Sequence, residues 1–114
     1  MTTCVLFIQG GGKGAHSEDA PLADSLKRTL GPEYELRFPQ MPGESDPDVE
    51  SWKRKISSEL SRMSGKVILV GHSVGGSILL KYLSEEKVEE PIAGLFLLAA
   101  PSWDEEHWNF DDLK

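Results

Sequence analysis

Lys66-Val-Ile-Leu-Val-Gly-His-Ser-Val-Gly-Gly-Ser-Ile-Leu-Leu-Lys-Tyr-Leu83 is the stretch on which the fold turns. Val67 to Val70 is a short apolar run that reads as a buried strand. Val74, Ile78, Leu79, Tyr82 and Leu83 follow near helical spacing. Between the two lies Gly71-His72-Ser73-Val74-Gly75, a G-x-S-x-G. In a strand-to-helix setting this motif holds a serine on a sharp, strained turn, with glycines two residues away on either side to avoid collision. Ser73 would then stand at the N-terminus of a helix, where unpaired N–H groups and the dipole favour developing negative charge. The rival reading is a tight turn with no chemical role.

The flanking sequence supplies the rest of an alternating pattern. Cys4 to Ile8 is a continuous apolar run, as expected for a strand buried on both faces of a parallel sheet. Gln9-Gly-Gly-Gly-Lys-Gly14 follows as a loop. A first helix is expected from about Asp19 to Leu30, with Leu22, Ala23, Leu26 and Leu30 inward and Gly31-Pro32 as a stop. Tyr34 to Phe38 reads as a second strand, and residues 39–45 as a loop rich in turn formers. Asp46 is the expected N-cap of a second helix, with Pro47 at its first position and Val49, Trp52, Ile56, Leu60 and Met63 as its apolar stripe. The third helix should end near Ser84, Glu85 to Glu90 should be solvated, and Ile92 to Ala99 should form a last strand.

Strand and helix thus alternate four strands deep, which predicts an α/β three-layer sandwich: a parallel sheet of about four strands with helices on both faces. The 114 residues are expected to form a single domain, residues 1–114. In such sheets ligands bind at the carboxyl ends of the strands, where the 10–14 loop, Ser73 and the segment after Ala99 should meet.

Composition narrows the partners. A formal charge of −7 argues against nucleic acid and anionic membranes. The longest apolar stretch, Leu95 to Ala100, is too short to span a bilayer, and no secretory leader is evident at the N-terminus. The single cysteine, Cys4, reads as a core residue and fits a cytoplasmic setting. No His, Cys and carboxylate cluster has ligand spacing, so neither a metal nor another cofactor is expected. A phosphate-binding reading of the Gly-rich loop lacks both a G-K-[ST] ending and a G-x-G-x-x-G.

These features together resemble the N-terminal portion of an α/β-hydrolase. They are most similar to the small lidless serine hydrolases of the retinoblastoma-binding-protein and YdeN type. The matching residues are Val5–Gly14, Phe38-Pro39 with Met41-Pro42, Asp46-Pro47 with Trp52, the Gly71–Gly75 elbow and Leu95–Pro101. The resemblance implies that Ser73 attacks the carbonyl carbon of a small-molecule ester, thioester or amide and becomes acylated. It implies an oxyanion hole built from the N–H of Val74 and that of Gly11, with Gly12 as the neighbouring alternative. Family members take the triad Asp and His from two further strand ends downstream, so a truncated fold lacking its C-terminal part is expected.

Three histidines are present. His72 should point away from Ser73 and be structural. His16 borders the expected pocket and is a secondary candidate for the base. Asp104 and His107 keep the Ser, Asp, His order, but a surface pair is the plainer reading of two residues so close in an acidic tail. Trp103, with Trp108 and Phe110, either lines an acyl pocket or covers the sheet edge. The alternative to an enzyme is a non-catalytic interaction module, with the bare edge of the last strand open to a homodimer.

Overall fold

The computed structural model describes residues 3–86, 88 and 91–98. Four strands, β1 (Thr3–Ile8), β2 (Tyr34–Arg37), β3 (Val67–His72) and β4 (Ile92–Leu98), alternate with helices α1 (Ala15–Leu30), α2 (Val49–Ser61) and α3 (Val74–Glu85). The sheet is parallel throughout, in the order β2-β1-β3-β4. The expected α/β architecture, with helices on both faces, is what forms.

The two faces explain the unbroken apolar runs. Cys4, Leu6 and Ile8 of β1, with Val67 and Leu69 of β3, pack under α2 and α3. Val5 and Phe7, with Ile68 and Val70, pack under α1. Alternate residues point to opposite faces, and both faces are covered, so the runs Cys4–Ile8 and Val67–Val70 are apolar throughout. Trp52 and Ile56 of α2 are wholly buried on their side. The Trp52 indole N–H also donates to the Pro42 carbonyl at 2.7 Å, which ties the 39–45 loop to the core.

Two helix starts differ from expectation. The first helix begins at Ala15, four residues ahead of Asp19, and accommodates Pro21 in its interior. Its first-turn donors find an acceptor far along the chain: Glu44 takes the Gly14 and His16 N–H groups at 2.8 and 3.1 Å. A cap supplied from another loop leaves no local sequence signal. Ala23, Leu26 and Leu30 face inward as expected, the buried stripe extends back to Ala15 and Asp19, and Leu22 is exposed. The second helix is capped by Asp48, two residues beyond Asp46. Asp48 Oδ2 accepts from the Ser51 N–H at 3.1 Å, whereas the Asp46 N–H closes a turn onto Gly43.

The third helix reaches Glu85, one residue past expectation. Glu85 and Glu86 are not merely solvated: Lys53 of α2 meets them at 2.8 and 3.1 Å. That contact lowers Glu85 to about 2 and raises Lys53 above its ordinary range. No helix among the described residues is long and apolar enough to cross a membrane.

Candidate active site

Ser73 follows β3 directly and has φ 56° and ψ −120°. It is the one non-glycine residue with positive φ among those described. Such a conformation costs roughly 1–3 kcal/mol and persists only where the surroundings enforce it. Here they do. The Ser73 N–H donates to Leu98 O at the end of β4, at 2.7 Å, and its carbonyl accepts from the Gly76 and Ser77 N–H groups at 3.0 and 3.2 Å. A serine held this way at the head of α3 is the strained elbow that the motif implied.

The glycines around it are required by contact. A Cβ on Gly75 would run into the Gln9 carbonyl and lie 2.6 Å from the Ile8 carbonyl. One on Gly71 would lie 2.7 Å from the Gly76 nitrogen. The elbow therefore presses against the end of β1 on one side and folds back on itself on the other. Gly76 was not singled out by the motif, yet its backbone is what Gly71 meets.

The loop after β1 runs beside the serine. A Cβ on Gly10 would stand 3.6 Å from that of Ser73, and one on Gly11 would stand 3.4 Å from that of Val74. The backbone donors of this loop divide cleanly. The Gly10 N–H goes to Asp19 Oδ2 at 2.9 Å, and the Gly12 N–H to the Glu44 carbonyl at 2.6 Å. Those of Gly11 and Val74 donate to no partner among the described residues.

Two carboxylates that the sequence reading passed over organise this corner. Asp19 is buried, and its Oδ2 also lies 3.1 Å from His72 Nδ1. A carboxylate only accepts, so His72 presents Nδ1–H to it. Glu44 receives three donors on its side chain, the Gln9 Nε2 at 2.9 Å and the Gly14 and His16 N–H groups, which hold its carboxyl below the usual carboxylate value. Gln9 is wholly buried, and its Oε1 accepts the Met41 N–H at 2.8 Å. Asp19 could have been noticed from its four-residue spacing with Ala15 and Ala23, which puts a carboxylate on a buried stripe. Glu44 carries no such signal.

Neither described histidine addresses Ser73. The His72 ring is turned to Asp19. The His16 ring stacks on Phe38, with centroids 4.1 Å apart and planes 10° apart, and its Nε2 donates to the Phe38 carbonyl at 3.2 Å. Ser73 Oγ has no hydrogen-bond partner among the described residues. Trp103, Asp104 and His107 lie outside the described residues, as does the segment after Ala99 that was expected to join the site. Among the described residues no group of three His, Cys, Asp or Glu side chains could hold a metal ion.

The serine hydrolase family model matches residues 15–114. The chain belongs to that family. A pyrethroid hydrolase from Sphingobium faniae is 27% identical, with a TM-score of 0.53 over 86% of this chain and 40% of that one. A YdeN-like hydrolase of Pectobacterium atrosepticum (22% identity, TM-score 0.54, 83% of this chain and 48% of that one) shares the fold. So does an extracellular α/β-hydrolase from a Paenibacillus species (22%, 0.57, 99% and 48%). The chain spans less than half the length of each of these structures. A comparison with curated protein sequences finds no match.

Proposed function

We propose that this chain carries the acyl-binding half of a serine-hydrolase site. Ser73 Oγ attacks the carbonyl carbon of a small-molecule carboxylic ester, thioester or amide. The oxygen takes up negative charge, the leaving group departs with a proton, and water later releases the acyl group. Val74 and Gly11 donate to the oxyanion. The observation that carries this reading is the Ser73 backbone at φ 56°, ψ −120°, beside two N–H groups with no described partner. Gly12 is the lesser candidate because its N–H is already bonded to Glu44 O. Membership of the serine hydrolase family and likeness to pyrethroid hydrolases support hydrolysis as the reaction class.

A serine hydroxyl needs a base within hydrogen-bond reach. With His16 and His72 committed elsewhere, we place the base outside the described residues. It is either His107 with Asp104 or polypeptide equivalent to the remainder of the matched structures. His16 then serves as a wall of the pocket, with Trp103 a further candidate for its lining. We assign the protein to the cytoplasm, in keeping with its single buried thiol. The test is turnover of short-chain aryl esters by the full chain and by Ser73→Ala. Activity confined to the wild type supports the assignment, and equal measurable turnover by both proteins overturns it.

A second reading is favoured by one surface. Phe96 and Leu98 on the edge strand β4 are 58% and 38% exposed, and with Leu22 they border an apolar groove of about 420 Å³ between α1 and the sheet. An apolar edge of this kind pairs readily with another chain, so a homodimer through β4, with or without catalysis, is the alternative. Light scattering separates the two: a heat-stable monomer excludes the dimer.

A further inference from the structure

We infer that Glu44 is a positioning residue for the oxyanion loop, acting through the backbone of residues 9–16. This deepens the Ser73 reading and rests on it. Glu44 lies in the turn between β2 and α2, and no motif connects it to the elbow. Yet its carboxylate spans the whole loop after β1. Oε1 accepts from Gln9 Nε2 at 2.9 Å and from the His16 N–H at 3.1 Å, and Oε2 accepts from the Gly14 N–H at 2.8 Å. Its main-chain carbonyl takes the Gly12 N–H.

The consequence is geometric. Gly10 is fastened on one side of Gly11 by Asp19, and Gly12 on the other by Glu44. A run of glycines would otherwise sample many conformations, at an entropic cost to any fixed arrangement. Anchoring both neighbours leaves the Gly11 N–H as the donor held in place, opposite Val74. Preorganised donors are effective because they need no reorganisation when charge develops. The partners of the Glu44 side chain are all donors. A glutamine of the same shape would have to set its NH₂ against one of them, so Glu44→Gln loosens the side-chain hold on Gln9, Gly14 and His16 with little change of volume, while the main-chain bond to Gly12 stays.

The experiment uses the full chain as wild type, Glu44→Gln and Ser73→Ala. It measures the rate of Ser73 labelling by a fluorophosphonate and amide hydrogen exchange residue by residue. In Glu44→Gln, labelling slows about tenfold or more, as for a loosened oxyanion donor. Gly14 and His16 lose protection, whereas Leu69 and Ile78 in the core keep theirs. Labelling at the wild-type rate overturns the inference, and so does a loss of protection shared equally by the core, which marks general destabilisation. If the wild type is not labelled, the nucleophile reading fails separately. Exchange then decides the anchor alone: loss confined to Gly14 and His16 supports it, and unchanged protection overturns it.

Discussion

Asp19 and His72 meet at 3.1 Å beneath the elbow, and the same Asp19 oxygen receives the Gly10 N–H at 2.9 Å. One buried carboxylate on α1 thus joins the loop after β1 to the residue preceding Ser73. Replacing Asp19 with Ala leaves a buried N–H and a ring N–H without an acceptor. The expected loss is about 1–3 kcal/mol for an unsatisfied buried group, more if both are stranded. Urea unfolding of wild type and Asp19→Ala measures it. Equal midpoints would show that water replaces the carboxylate at no cost.

The Gly75 contact predicts a sharper effect. A methyl group there meets backbone carbonyls of Ile8 and Gln9, which cannot swing aside like a flexible side chain. Gly75→Ala should therefore cost at least the ~1–3 kcal/mol of an overpacked site. It should also displace the Gly-rich loop from Ser73. Thermal unfolding reads the first effect, and amide shifts of Gly10 and Gly11 the second. A variant as stable as wild type with unmoved shifts would mean that the strand end and the elbow are less tightly apposed than described.

These two residues also show what was legible beforehand. The sheet, its three crossover helices and the serine elbow follow from local pattern: apolar runs of strand length, three- and four-residue spacing, and glycines at fixed offsets from Ser73. Gly75 belongs to that class. Asp19 and Glu44 do not, because their roles depend on donors contributed by distant segments. Glu44 moves the start of α1 from Asp19 to Ala15, and Asp48 captures the cap expected at Asp46 through its bonds to Ser51. The base stayed beyond reach for a different reason: His16 and His72 are spent on Phe38 and Asp19.

Glu44 gives a pH prediction. Three hydrogen bonds to its carboxylate, from Gln9, His16 and Gly14, lower its titration below the usual value of 4.5. A lowered folded value means that the anchor's contribution is fully present above the unfolded value and is lost as pH falls through the folded one. The Gly14 and His16 amide resonances should accordingly titrate with a midpoint below 4.5 in the wild type and show no such transition in Glu44→Gln. A midpoint at or above the usual carboxylate value would contradict the three-donor arrangement.

The central claim is that Ser73 is a mounted nucleophile. The most direct measurement is incubation of the full chain with a fluorophosphonate, followed by peptide mass mapping, with Ser73→Ala in parallel. The account predicts a single phosphonyl adduct on Ser73 in the wild type and none in the variant. Soluble, folded wild-type protein that stays unmodified, or carries the adduct on another residue, would contradict it.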